Sequence, residues 1–224
     1  MKFDSMKISV REITQALETV APPALQESYD NSGLIVGSHD DLVAKALLSL
    51  DCTPAVVEEA IREGCDMIVS HHPIVFKGLK RFNGKNYVEK AVMLAIKHDI
   101  ALYACHTNLD NVLHRGVNAK ISEKLGLLNT KIMSPKGGLL LKLGVHVPVD
   151  HLSAVEAAMF EHGAGKIGNY SECGFSWEGR GTFTPNNEAK PYIGSANEPT
   201  EGSEKRIEVV VPEYGLSSVL GAMK

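Results

Sequence analysis

The sequences VSHHP at residues 69–73 and HTNLD at residues 106–110 decide the predicted fold. Each follows a short apolar run that is typical of a buried strand, and each run follows a helical stretch. In open α/β sheets, ligands bind at the carboxyl ends of the strands. We therefore expect three histidines and one aspartate to meet at one edge of one sheet.

The chain around these two sequences alternates between predicted strands and helices. Thr53 and Pro54 are typical of a helix start, and Gly64 is typical of a helix end. Ser9 and Glu12 have the spacing of a capping box for an earlier helix. The alternation predicts an α/β fold with a mostly parallel sheet, right-handed crossovers and helices on both faces. The predicted strands are buried and cover residues 46–50, 65–69 and 100–105, and the helices cover residues 9–19, 54–63, 86–98 and 116–125.

The pattern changes near Ser134, after which the predicted order is β-α-β-β-α. This order is typical of a ferredoxin-like α+β module. Such a module ends with one more strand, so we expect the chain to be the front part of a longer protein. We predict domains at residues 1–131 and 132–224. In the second, we predict strands at 139–147 and 206–211, a pair of short strands within 173–184, helices at 152–162 and 214–223, and a flexible loop at 186–204.

Composition narrows the class of protein. The 224 residues are 44% hydrophobic and 22% charged, which is typical of a globular protein with one or two domains. The net charge of −4 makes nucleic acid an unlikely partner. The four cysteines have no CxxC spacing, which favours reduced thiols and a cytoplasmic location. No apolar run is long enough to span a bilayer, so we expect no membrane partner.

The two histidine-bearing sequences predict a metal site formed by His71, His72, His106 and Asp110. Neutral imidazole predominates at pH 7 and binds metal with little proton cost. Pro73 ends the strand, which allows the adjacent histidines to share a site. Nitrogen and oxygen donors without thiolate suit zinc, iron, manganese, cobalt or nickel. Four donors satisfy one ion, and a second ion needs further ligands. The alternative is that these histidines are hydrogen-bonded structural residues.

Three other sequences allow two interpretations each. Residues 29–33, YDNSG, are typical of a turn or of a polar loop that borders a site. Residues 77–85 carry four cations, which indicates either a solvated loop or attraction of a small anionic substrate such as a phosphorylated one. Residues 163–168, GAGKIG, match GxGxxG, but they follow a helix, which favours a turn over a dinucleotide site. Catalytic residues remain unknown, because Cys105 has no activating partner and no Ser-His-Asp order or P-loop is present.

Several of these sequences resemble the signature blocks of one family. Residues 29–37 (YDNSGLIVG), 70–80 (SHHPIVFKGLK) and 103–118 (YACHTNLDNVLHRGVN) are similar to those of the NIF-three-like dinuclear-metal family, whose members are often called GTP cyclohydrolase 1 type 2 homologues. Residues 163–185 resemble a PII/CutA-like domain that some bacterial members carry between the two halves of the metal domain.

The resemblance implies metal ligation by His71, His72, His106 and Asp110. It also implies two divalent ions per subunit in the full-length protein, with zinc, iron or manganese as candidates, and a toroidal homohexamer. The family's remaining ligands come from a His-x3-Glu block in a C-terminal half, and we expect this chain to stop inside the inserted domain before that half begins.

Two classes of function follow from the resemblance. The first is a metal-dependent hydrolase that acts on a nucleotide such as GTP, with phosphodiester hydrolysis as a weaker variant. The second is a metal-responsive regulatory or adaptor protein without turnover. Loss of turnover on chelation separates the first class from the second.

Overall fold

The computed structural model describes residues 7–113 and 115–224. The chain forms two compact units, Met1–Pro135 and Lys136–Lys224. The sequence places the domain boundary four residues earlier, after residue 131. In the described part of the chain, no helix combines the length and the apolar character needed to cross a membrane.

The first unit alternates between short strands and helices. In chain order its elements are β1 (Ile8–Ser9), α1 (Val10–Val20), a 3-10 turn (Pro23–Leu25), β2 (Gly33–Val36), β3 (Leu42–Val43), β4 (Ala46–Ser49), α2 (Pro54–Glu63), β5 (Met67–Ser70), α3 (Tyr87–Lys97), β6 (Ala101–Ala104), α4 (Thr107–Asp110) and α5 (Val117–Lys124). The predicted helices and strands of this region are confirmed to within three residues at their ends.

The main sheet of this unit has the strand order β2-β6-β5-β4. Strands β4, β5 and β6 run parallel, and β2 pairs antiparallel with β6. The parallel register aligns Ser49 with Ser70 and Ser70 with Ala104, so these three strands end at the same level. This confirms the predicted mostly parallel sheet and brings the residues that follow β5 and β6 to one edge.

Helices cover both faces of the sheet, as the sequence predicts. Ile68 and Leu102 point to the face that packs against α2 and α3. Met67 and Tyr103, their neighbours along β5 and β6, point to the other face, where they pack against α1 through Val10. Successive residues of a strand alternate between faces, so the all-apolar composition of these strands follows from burial on both sides.

Local signals in the sequence set the helix ends. Thr53 caps α2 by accepting a hydrogen bond from the Val56 backbone N–H, and Pro54 occupies the first helical position. Gly64 ends α2 at a φ of 64°, in the left-handed region that glycine adopts without strain. Ser9 and Glu12 form the predicted capping box of α1.

One strand of the first unit differs from expectation. The sequence predicts a buried strand at residues 46–50, but β4 lies at the edge of the described sheet and Leu48 is 76% exposed. Apolar composition predicts a strand without specifying how many of its faces are covered.

The second unit is an antiparallel sheet with helices. Its elements are β7 (Leu140–Pro148), a 3-10 turn (Val149–His151), α6 (Leu152–Glu161), β8 (Gly174–Phe183), β9 (Thr200–Pro212), a 3-10 turn (Glu213–Gly215) and α7 (Leu216–Ala222). The strand order β7-β9-β8 places β9 between the strands that flank α6, which is the split β-α-β arrangement of the ferredoxin-like fold.

Two predictions for this unit are wrong. Residues 174–183 form the single strand β8 instead of two short strands. The predicted loop at residues 186–204 is too long, because β9 already begins at Thr200 and pairs with Phe183. Glycine and charge in residues 200–205 suggest a loop, but pairing with β8 supplies hydrogen bonds that local composition does not reveal. The GxGxxG sequence forms a turn, as predicted, with positive φ at its three glycines.

We expect Ile68→Ala to destabilise the first unit by about 2–5 kcal/mol, because Ile68 is completely buried in a central strand and its truncation leaves a cavity. Leu48→Ala is the matched control in the neighbouring strand and should cost no more than about 0.5 kcal/mol, since that side chain is already in water. Urea titrations followed by far-UV circular dichroism measure both changes. Equal losses would contradict the edge position of β4.

Candidate metal centre

Three histidines meet where β5 and β6 end. His71 and His72 follow β5, and His106 follows β6 after one residue. Their ring centroids lie 4.9 Å (His71 to His72), 5.3 Å (His71 to His106) and 5.6 Å (His72 to His106) apart. One ring nitrogen from each lies within 4.8 Å of the others. The level strand ends therefore produce the cluster of imidazoles that the sequence predicts, and this group could hold a metal ion.

The hydrogen bonds of the rings determine which nitrogen is free. His71 Nδ1 lies 2.8 Å from the Cys105 carbonyl oxygen, and His72 Nδ1 lies 2.8 Å from Asp51 Oδ1. His106 Nδ1 lies 2.8 Å from Asp30 Oδ1. Carbonyl and carboxylate oxygens only accept, so we assign the proton of each neutral ring to Nδ1. Each Nε2 then carries a lone pair, which is the form of histidine that ligates metal.

The predicted fourth ligand, Asp110, lies at the same place. It ends the single turn of α4, four residues after His106, and its Oδ1 is 3.7 Å from His71 Nε2. Its carboxylate therefore faces the ring nitrogen that has no hydrogen-bond acceptor of its own. The structure brings all four predicted residues together, with Asp110 beside the histidine group.

Asp30 is a residue that the sequence does not assign to the site. Its side chain is fully buried. Besides the His106 ring, it accepts hydrogen bonds from the Asn31 backbone N–H (2.7 Å), the Ser32 hydroxyl (2.8 Å), and the backbone N–H (3.0 Å) and hydroxyl of Thr107. Burial alone would raise the pKa of Asp30, but these hydrogen bonds outweigh burial and hold the pKa well below its ordinary value. Asp30 is therefore an ionised acceptor that orients the His106 ring.

Asp51 is the second residue that sequence reasoning misses. It lies two residues after the end of β4, whose last residue is level with the last residue of β5. The strand-end rule that identifies the histidines also applies to Asp51. Asp30 lies in residues 29–33, and the interpretation of these residues as a polar loop that borders a site is confirmed, but no local signal identifies its partner His106, which lies 76 residues away in the chain.

Comparison with known proteins adds to this geometry. The family model described as Duf34/NIF3 (NGG1p interacting factor 3) matches residues 8–189. The chain belongs to this NIF3 family.

Relatives of known sequence and structure agree with that assignment. A Bacillus subtilis protein called GTP cyclohydrolase 1 type 2 homolog is 38% identical over 217 residues, which cover 96% of this chain and 58% of that protein. A solved Bacillus cereus protein related to NIF3 is 38% identical and has a TM-score of 0.78. The match covers 98% of this chain and 58% of that protein. A solved Staphylococcus aureus protein is 31% identical with a TM-score of 0.61, over 97% of this chain and 56% of its own. The chain thus spans somewhat more than half the length of these relatives.

The second unit of this NIF3-family chain has no comparable group. Among residues 7–113 and 115–224, the three histidines of the first unit are the one set of three close side chains with metal-ligating atoms. His151 Nε2 instead lies 2.9 Å from the Tyr192 hydroxyl, and His162 Nδ1 lies 2.9 Å from the Ala158 carbonyl. Neither histidine belongs to a set of three close metal-ligating side chains in the described part of the chain.

Two cysteines near the site, Cys52 and Cys105, are buried thiols. Burial raises the pKa of Cys52 to about 11. The pKa of Cys105 is also raised to about 11, mainly by burial and to a smaller extent by the negative charge of Glu18. The thiolate is the nucleophilic form, so a raised pKa lowers reactivity at neutral pH. This agrees with the absence of an activating partner for Cys105 in the sequence.

We expect iodoacetamide at pH 8 to modify Cys173 well before Cys52 and Cys105, because the first is partly exposed and the others are buried with raised pKa values. Peptide mass spectrometry over time measures the order. In denaturing urea, the three should react at similar rates, which is the control. Rapid modification of Cys105 in the folded protein would show that it is an activated thiol.

Proposed function

We propose that this chain supplies half of a dinuclear metal centre in a metal-dependent hydrolase that acts on a nucleotide or phosphoester. One observation carries the proposal: three imidazoles converge at level strand ends with every Nδ1 bound to an acceptor and every Nε2 free. Metal-ligating histidines almost always donate the other ring N–H to a carboxylate, a backbone carbonyl or a water, and all three rings of the group have such an acceptor.

The side chains fit a divalent ion. Three imidazole nitrogens and the oxygen of Asp110 are the donors that zinc, iron and manganese accept. Two nitrogens that share a tetrahedral zinc ion lie about 3.4 Å apart, given bonds of about 2.1 Å. The ring nitrogens of the group lie within 4.8 Å of one another, so binding an ion requires side-chain rotations that draw them closer. When bound, the ion supplies Lewis acidity and an acidified water.

The residues around the ligands hold the rings in place. Asp30 and Asp51 each accept from a ligand ring, which keeps the Nδ1 proton in position and makes Nε2 a better donor. Asp110 has one oxygen toward His71 and is partly exposed, so it would serve as an oxygen ligand of an ion or accept a proton. The exposed cations Lys77, Lys80 and Arg81 follow the histidine pair and would attract an anionic substrate.

The assembly is also part of the proposal. Three imidazoles and one carboxylate satisfy one ion but leave a second ion short of ligands, so we infer that residues outside this chain supply the remaining ligands of a two-ion site. We further propose that the second unit is a PII/CutA-like insert and that the full-length protein forms a homohexameric ring. The ferredoxin-like strand order β7-β9-β8 supports the first of these inferences.

Metal binding is the first test. We expect the chain to bind about one zinc or manganese ion, and His72→Ala to remove most of that affinity because it deletes a ligand. Asp51→Asn should weaken binding roughly 10- to 100-fold, the usual effect of losing a ligand's hydrogen-bond partner. Isothermal titration calorimetry measures the affinities.

Two controls match these variants. His98→Ala removes an exposed histidine of the same unit, and Asp99→Asn changes an exposed aspartate at a φ of 53°, which asparagine also tolerates. Both should bind as the parent chain does. If the parent chain retained no zinc, iron or manganese, the metal centre itself would be refuted.

Turnover separates the two classes of function. We expect the full-length metal-loaded protein to hydrolyse GTP or bis(p-nitrophenyl) phosphate, with activity lost on EDTA treatment and in His72→Ala. Product formation followed by chromatography is the measurement. Tight metal binding without turnover on either compound would favour the metal-responsive regulatory protein.

A further inference from the structure

We propose that Tyr29 and Phe76 form an aromatic wall, defined here as these two side chains, that stacks a planar heteroaromatic ring of the substrate beside the histidine group. This inference rests on the proposed function and narrows its substrate class to nucleotides. Nothing in the comparisons assigns a role to either residue.

The aromatic wall begins at the histidine group. The Phe76 ring lies 6.3 Å from the His106 ring, centroid to centroid, at an interplanar angle of 81°. The Tyr29 ring lies 6.4 Å from the Phe76 ring at 52°. The two rings are therefore neighbours, and Phe76 lies next to the His106 ring.

Both rings are open to solvent. Tyr29 is 65% exposed and Phe76 is 47% exposed, although each is large enough to contribute substantially to a core. Single exposed apolar side chains are common on protein surfaces, but two contacting rings next to a cluster of polar donors are characteristic of ligand sites. A ligand can therefore contact both rings.

The backbone holds the aromatic wall in place from both sides. The Asn31 side-chain amide donates a 2.6 Å hydrogen bond to the Val75 carbonyl, which ties the loop of Tyr29 to the loop of Phe76. Asp30, next to Tyr29, is anchored by the Thr107 backbone N–H and the His106 ring. The positions of the two rings are therefore coupled to the histidine group. Because the two loops are already ordered, ligand binding loses less conformational entropy.

Cationic residues that follow Phe76 indicate which other group the substrate carries besides its planar ring. Phe76 is followed directly by Lys77, and Lys80 and Arg81 come within five residues, all exposed. An aromatic surface that lies beside a metal-ligating group and is followed in sequence by exposed cations suits a molecule with a planar base and an anionic phosphate. Stacking on aromatic side chains accepts every nucleobase, so the wall selects nucleotides over phosphoesters that lack a base.

Two small ligands isolate the contribution of the base. Guanosine 5′-monophosphate and ribose 5-phosphate share the sugar phosphate and differ by the presence of guanine. Isothermal titration calorimetry with each, with and without zinc, measures how much the base adds to binding. We expect the chain to bind guanosine 5′-monophosphate more tightly.

Tyr29→Leu and Phe76→Leu test the aromatic wall directly. Each should weaken binding of guanosine 5′-monophosphate roughly 5- to 100-fold, the range for losing one stacking contact, and leave ribose 5-phosphate unchanged. Tyr87→Leu is the matched control, because Tyr87 lies in the same unit and is 62% exposed. Leucine keeps an apolar side chain, and unchanged circular dichroism verifies folding.

The outcomes separate this inference from the proposed function. Three results would overturn the aromatic wall. The parent chain could bind the two ligands with equal affinity, the variants could lose equal affinity for the two ligands, or neither variant could lose affinity for guanosine 5′-monophosphate. Zinc affinity is measured on the same samples, and its absence in the parent chain would refute the metal centre independently. A discrimination between the ligands that persists without zinc would still support stacking on Tyr29 and Phe76.

Discussion

The site depends on the register of three parallel strands. Ser49, Ser70 and Ala104 are level, so the chain leaves β4, β5 and β6 at one edge of the sheet. Asp51, the histidine pair and His106 follow within two residues of those ends. A shift of one residue in either pairing would turn the side chains to the opposite face and separate the rings. Burial on both faces of β5 and β6 stabilises the register, because each strand must satisfy two packed layers at once.

Buried charge is the second constraint. Asp30 is ionised in a fully buried position, which is unfavourable unless hydrogen bonds replace the lost water. Two backbone N–H groups, two hydroxyls and the His106 ring supply that replacement, and each donor comes from the Asp30 loop or from the turn that begins α4. The same carboxylate therefore joins two loops and fixes a ring. His72 has a weaker support, because its acceptor Asp51 is largely exposed.

Much of this arrangement could be predicted, for identifiable reasons. Helix caps such as Ser9 and Thr53 bond to backbone groups three residues away, so they can be read from the local sequence. The positions of the three histidines at strand ends could be predicted, because a strand end is recognisable in the sequence where an apolar run stops. The edge position of β4 and the single strand β8 could not be predicted. Both depend on which other strands they pair with, and local sequence does not state that. Asp30 could not be assigned a partner for the same reason, since His106 lies 76 residues away. An aspartate in a turn-forming sequence also has a local explanation that needs no site.

By itself, the sequence determined the order of helices and strands, the alternation that makes the sheet parallel, and the donor types available at two strand ends. These are properties of nearest neighbours and of hydrophobic periodicity, which are local. The tertiary structure alone decided which nitrogen of each ring is free, because the acceptors that hold the Nδ1 protons come from three different segments: Asp30, Asp51 and the Cys105 carbonyl. It also decided that two aromatic rings stand beside those nitrogens, since loops separated by more than forty residues meet only when the chain is folded.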